Sequence, residues 1–334
     1  SVSNDTLTRH ELAHQRIGNL ITIASRPDLR ITEAGGTYFP QVSRVGRNNR
    51  EQASYGLSRN MDRTRALNNP SDTNLFNTNL VYNRAARVYH HLRSYLGNNL
   101  YFSGLDYYIN KHAHGTVSTK QLKNTWEEAT NVNLSGFFTR FVYGTGSPTV
   151  RVTNFYDNLN DGTYSGRAFF KLSRTDNKER TPDVVFTRID YTDGSSGEFR
   201  LFQENQDSYL TINTYKNISG IVIDPGSGTT NRITDYPGTI SNSGFSISND
   251  SDTDSLPDGW EYIVFGNLNQ AANGDYDGDE ITNIDEYDLN IENIDYTGPN
   301  FDFSNNSGYE CSDGYLIISG SYDTGVGLHD IPYS

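Results

Sequence analysis

HELAHQRIGNLITIASRPDLRITEAGGTYF, residues 10–39, is the stretch on which the reading of this chain turns. Residues four apart share one face of a helix, so His10 and His14 can aim two imidazoles at a single metal ion. Glu11, one position round, is offset from the metal and placed to take a proton from a water beside it. Two histidines fall short of the three protein ligands that a catalytic zinc ordinarily has. Eighteen residues separate His14 from Glu33, and the SRPDL between them carries a proline suited to a turn. A second helix starting at Glu33, in EAGGTYF, can then return a carboxylate to the first. The spacing predicts one catalytic zinc held by His10, His14 and Glu33, with Glu11 as general base.

Outward from this stretch, the pattern is helical from about Thr8 to Tyr143. ELAHQRIGNLITIA sets Leu12, Ile17, Leu20 and Ile21 at amphipathic spacings. YNRAARVYHHLRSYLG reads as an amphipathic helix closed by Gly97. LYFSGLDYYINKHA and STKQLKNTWEEATN read as two more, the latter capped by Ser118 or Thr119. The texture changes after GTGSP, residues 144–148. Short alternating runs (DVVFTRIDY, EFRLFQ, SYLTINTY and ISGIVIDPG) separated by turn residues predict a small antiparallel β-sandwich over 148–240. The expected architecture is multidomain, α then β. Residues 1–147 form a helical catalytic part, 249–290 an acidic linker, and 291–334 a truncated β-module or tail that includes GYLIISGSY.

Two segments of the linker, DSDTDSLPDGWE and DYDGDEITNIDE, superimpose at an offset of 25 residues. Oxygen-bearing side chains occupy positions 1, 3, 5, 9 and 12 of each: Asp250, Asp252, Asp254, Asp258 and Glu261, then Asp275, Asp277, Asp279, Asn283 and Glu286. Position 7, Leu256 or Ile281, would add a backbone carbonyl. This is the oxygen spacing of a calcium loop, with a terminal carboxylate able to bind through both oxygens. About two structural calcium ions are therefore expected, although Ser255 and Glu280 stand where such loops usually have glycine at position 6.

The bulk numbers agree with that assignment. Across 334 residues, 41 acidic side chains face 27 basic ones, a formal charge of −14. Such a balance argues against nucleic acid as a partner. Mean hydropathy is −0.67, and no apolar run approaches the length needed to span a bilayer. The lone cysteine, Cys311, rules out an intrachain disulfide. His90, His91, His112 and His114 have no metal-ligand spacing and read as surface or packing residues.

HELAHQRIGN followed by DLRITEAGGTY resembles the aminopeptidase N family of gluzincin metallopeptidases, whose members typically read HELAHQWFGN and then DLWLNEGFATY. VYNRAARVYHHLRSYLGNNLYFSGLDYYINKHA resembles that family's VYEKGA helix and the segment after it. LSGFFTRFVYGTGSPTV resembles its transition to a β-sandwich. The similarity runs over roughly residues 5–230. It implies the helical half of a thermolysin-like metallopeptidase domain that removes N-terminal residues from peptides. It also implies that Tyr82, in VYNRAA, hydrogen-bonds the developing oxyanion, and that Asp28 supports a zinc-binding histidine.

Departures from the family are Arg16 in place of its tryptophan, and the pair Gly35 and Gly36 after Glu33. Family members also carry a β-domain, a sheet and a G-x-M-E-N segment ahead of the zinc helix, which hold the substrate backbone and its α-amine. Those are absent, so the chain is expected to begin inside its catalytic domain. A zinc endopeptidase and a catalytically inactive binding or adhesion module are the alternative readings; the intact Glu11 counts against the second. The acidic repeats resemble those of secreted bacterial proteins, akin to dockerin and thrombospondin type-three repeats. A secreted or cell-surface location in a bacterium is the expectation.

Overall fold

The computed structural model describes residues 2–48, 50, 53, 56–58, 60–68, 76–146, 149–158, 164–174, 183–203, 206–224, 239–245, 250–278, 280–289 and 317–319. Cys311 and Asp279 lie outside them, as does the segment 291–334 apart from 317–319.

Helix α1 (Val2–His14) packs on α2 (Leu29–Val45). The helix expected through Ile21 stops at His14. Gly18 adopts φ 144°, outside helical space, and the Gly18 N–H donates to Ile21 O at 2.9 Å. Ile17 and Ile21 are buried, but in a tight loop, while Leu12 remains 62% exposed. The other expected helix begins earlier than Glu33. Pro27 lies in a 3₁₀ turn (Arg26–Asp28) that runs directly into α2, where its missing N–H costs nothing. Glu33 therefore sits one turn inside the helix.

A π-helical segment (Thr78–Arg84) leads into α3 (Ala85–Leu96), which ends at Gly97 with φ 80°. Helix α4 (Asn98–His112) and α5 (Thr119–Thr130) follow, and Ser118 caps α5 in a reciprocal box with Gln121. Short strands β1 (Thr22–Ile23) and β2 (Thr116–Val117) pair in parallel. Helix α6 (Ser135–Phe138) passes into a second π-helical turn (Thr139–Tyr143). His90 and His91 are buried packing residues: His90 lies between Arg50 and Tyr38, and His91 is 3.0 Å from Asp183.

The strand region contains β3 (Thr149–Asp157), β4 (Gly166–Arg174), β5 (Asp183–Tyr191), β6 (Ser196–Gln203), β7 (Asp207–Thr214), β8 (Ile218–Ile223) and β9 (Thr239–Phe245). They form a three-stranded sheet, β6-β5-β8, and a five-stranded sheet, β10-β7-β4-β3-β9, in which β10 is Ile317–Ser319. The expected all-antiparallel arrangement does not hold throughout, because β9 pairs with β3 in parallel. One apolar cluster joins Leu92, Phe137 and Phe141 of the helices to Val150, Phe170 and Ile212 of one sheet and Val185 and Leu201 of the other. Among the described residues, no helix is long and apolar enough to cross a membrane.

The acidic segment is not a free linker. Its two helices, α7 (Asp258–Val264) and α8 (Asn283–Leu289), lie against β3 and β4. Trp260 and Ile263 bury with Phe155 and Phe169, and Tyr287 packs against the same cluster. A Cβ at Gly259 would overlap the Phe155 ring. Gly259→Ala is expected to lower stability by about 1–3 kcal/mol through overpacking, read as a lower thermal midpoint. An unchanged midpoint would show that α7 is not pressed against the sheet.

Candidate functional site

The last turns of α1 and the first turns of α2 bring three predicted residues together. His10 Nε2 and His14 Nε2 are 3.0 Å apart, and each lies 3.4 Å from Glu33 Oε2. Donor atoms arranged tetrahedrally at zinc's bond lengths are separated by about 3.3 Å. Two imidazole nitrogens and one carboxylate oxygen at these separations fit a zinc ion with one position left open.

Local structure fixes the imidazoles. His14 Nδ1 is 3.0 Å from the carbonyl oxygen of Ile17. Donation to that carbonyl leaves the Nε2 lone pair facing Glu33, the tautomer that a ligating histidine needs. The loop after α1 thus orients the His14 ring. Gly36 on α2 lies beneath both rings: a Cβ there would stand 2.8 Å from His10 Cε1 and from His14 Nε2. Neither the Ile17 carbonyl nor the Gly36 cradle is legible from motif spacing, although the second glycine in EAGG was a visible departure.

The electrostatics centre on Glu33. A hydrogen bond with Glu33 raises the His10 pKa against the opposing effect of burial, and the charges of Glu33 and Glu11 add to the rise. Tyr82, on the π-helical segment, is half-buried with its ring centroid 5.9 Å from that of His10. Burial raises its pKa first, and the charge of Glu33 with a hydrogen bond to it raises it further. Tyr82 is therefore held as a protonated phenol beside the three converging donors. Glu11 lies on the exposed side of α1.

Asp28 does something other than what was expected of it. Its Oδ1 accepts from Thr119 N at 2.8 Å and Thr119 Oγ1 at 2.8 Å, and its Oδ2 accepts from Ser25 at 2.6 Å. It ties the start of α2 to the start of α5, while His14 takes its support from a backbone carbonyl.

Among the acidic repeats, Asp250, Asp252 and Asp254 converge, with ligand atoms within 4.8 Å of one another. The two loops share their internal geometry. Asp250 accepts from Asp254 N and Ser255 N, and Asp275 from Gly278 N and Glu280 N. Positions 4 and 6 take positive φ in both: Thr253 65° and Ser255 87°, then Gly278 84° and Glu280 75°. The backbone thus adopts the conformation usually given to glycine at position 6. Asp258 and Asn283, at position 9, accept from the N–H of residue 2 of their loops, Ser251 and Tyr276. Glu261 and Glu286 are fully buried at position 12, and both carboxylate oxygens of Glu261 lack a hydrogen-bond partner among the described residues. Leu256 is buried in the adjoining apolar cluster.

Burial, and then the surrounding aspartates, push the Glu261 carboxyl up to about 8. A carboxyl with a raised folded pKa leaves the fold unpenalised below its ordinary value and penalised above the raised one. With a chelator present, the stability of the acidic segment is therefore expected to fall as pH rises from about 4.5 to about 8. Thermal midpoints across that range check this, and a midpoint no different from that of Glu261→Gln at every pH would refute it.

Residues 2–141 match the profile of the Peptidase family M1 domain. The chain is 28% identical over 253 residues to the Aminopeptidase N of Lactococcus lactis subsp. lactis, covering 69% of this chain and 28% of that protein. Identity to the Aminopeptidase N of Lactobacillus helveticus is 26% over 162 residues, covering 43% of this chain and 19% of that one. The crystal structure of Legionella pneumophila aminopeptidase A in complex with aspartic acid superimposes with a TM-score of 0.54 at 15% identity, over 70% of this chain and 26% of that chain. That likeness is one of fold. The chain spans less than a third of the length of each of these proteins.

Proposed function

We propose that residues 1–147 are the zinc-binding, helical part of an M1-type peptidase that hydrolyses peptide bonds and releases N-terminal residues. The observation that carries this is the convergence of His10 Nε2, His14 Nε2 and Glu33 Oε2 at 3.0–3.4 Å inside a segment with the M1 profile. Bound there, zinc would polarise the scissile carbonyl and make a water acidic enough to react near neutral pH. Glu11 accepts a proton from the attacking water and delivers it to the leaving amine. The Tyr82 phenol donates a hydrogen bond to the oxygen that gains charge as the carbonyl becomes tetrahedral. The hydrogen bond of His14 Nδ1 to the Ile17 carbonyl directs that imidazole toward Glu33, so little reorganisation of it is needed before reaction.

The acidic repeats are proposed to hold about two calcium ions. Matched loop geometry supports this, as does a buried Glu261 carboxylate facing Asp250, Asp252, Asp254 and Asp258. Extracellular calcium concentrations suit such loops, in keeping with a secreted or cell-surface protein. The β-sandwich reading of 148–240 rests on the two sheets and their shared apolar cluster.

The test is zinc stoichiometry on the purified chain, followed by hydrolysis of peptides with free and blocked N-termini. One zinc per chain is the expected result, with cleavage restricted to free N-termini once the substrate-binding segments that the family carries ahead of the zinc helix are supplied. Equal cleavage of blocked peptides would favour an endopeptidase, and absence of zinc would overturn the proposal.

A further inference from the structure

In each acidic repeat, the residue next to the terminal carboxylate is an aromatic that packs toward the strand region: Trp260 before Glu261, and Tyr287 after Glu286. Adjacent residues on a helix point about 100° apart. One therefore reaches into the loop and the other toward the sheet. Trp260 and Tyr287 also meet each other, with ring centroids 5.6 Å apart, so the two repeats form a single unit. Tyr287 stacks on Phe169 at 6.2 Å.

A polar fastening accompanies the aromatic one. Arg167 on β4 pairs with Asp157 on β3 at 3.0 Å, and both side chains are buried. Arg167 Nη1 also donates to Tyr287 O at 2.7 Å, and the Tyr287 hydroxyl donates to Asp157. Removing one member of a buried charged network leaves the others desolvated and unsatisfied.

We infer that the two repeats are a calcium-operated latch: cation in the loops holds α7 and α8 on the outer face of β3 and β4, and its loss releases that face. The inference rests on the calcium reading above and extends it to what the ion controls. Each of these helices has seven residues, too few to persist in water without packing or ligation. They are fastened on one side by the sheet and on the other by the loop. In the first loop, five carboxylates fall within 12 residues. With no cation among them their repulsion opposes the fold of the loop, and α7 loses that fastening. Release would expose Phe155 and Phe169, whose strands carry Val152 and Phe170 into the core shared with the catalytic helices.

The experiment follows hydrogen exchange of the full chain by mass spectrometry in calcium and in chelator, beside calcium titration of the same preparation. Chelator is expected to deprotect α7, α8 and the β3–β4 peptides together, and Glu261→Gln to weaken calcium binding and shift all three toward the chelated pattern. Coupling is reciprocal. Gly259→Val, which forces α7 off Phe155, should therefore weaken calcium binding, on the order of 5- to 150-fold. Tyr287→Phe, which removes only a hydroxyl, should weaken it in the same direction and guards against misfolding of the glycine variant. Calcium binding with no change in β3–β4 exchange, or at unaltered affinity in both variants, would overturn the latch. Failure of the chain to bind calcium at all would overturn the calcium reading and the latch with it.

Discussion

Glu11→Gln is expected to lower turnover of an unblocked peptide by about 100- to 10,000-fold while zinc content stays at one per chain. The substitution is nearly isosteric, and glutamine matches glutamate as a helix former, so α1 should be unaffected. Glu11 is on the exposed side of the helix, and no hydrogen bond or ion pair of the described structure depends on it. The three converging donor atoms belong to His10, His14 and Glu33, so the set proposed to hold zinc is untouched by the change. What is lost is a carboxylate able to accept a proton from water and hand it to the leaving nitrogen. Zinc assay and steady-state rates on one preparation separate the possibilities. An undiminished rate would remove Glu11 from the chemistry.

The part of the fold that was legible in the sequence is the part governed by local spacing. The interval from His14 to Glu33 anticipated that these side chains would meet, because a second helix entered through a turn that contains Pro27 can return a carboxylate to the first. Strand β5 coincides with DVVFTRIDY, where inward and outward residues alternate along its second half. The central strand β4 is hidden in the sequence for a physical reason. Phe170 and Leu172 face the main core, while Phe169 is covered by α7 and α8, so β4 is buried on both faces over its first half and loses its alternation. The docking of the acidic segment was likewise hidden, since nothing in the spacing of its carboxylates says where Trp260 and Tyr287 will pack. The end of α1 is masked in the sequence because Ile17, Leu20 and Ile21 continue an apolar pattern. Gly18 at φ 144° and the need of His14 for a carbonyl partner decide otherwise.

Tyr82→Phe is expected to cut turnover by about 100- to 1,000-fold with little change in KM. The ring beside His10 remains, and only the hydroxyl that faces Glu33 is removed. A group that donates to charge appearing only as the carbonyl becomes tetrahedral contributes little to ground-state binding, which is why the loss falls on kcat. Burial and the Glu33 charge both disfavour the phenolate, so the donor is present across the neutral range and the pH profile below that of phenol ionisation should not depend on it. Tyr89→Phe is the matched control. Tyr89 is 8% exposed in the helical core, and its hydroxyl is buried without a hydrogen-bond partner among the described residues. Its removal relieves an unsatisfied polar group and should leave turnover within about threefold, since it touches none of the converging donors. Equal losses in the two variants would mean that Tyr82 acts through packing, and the hydrogen bond to the developing oxyanion would have to come from another group.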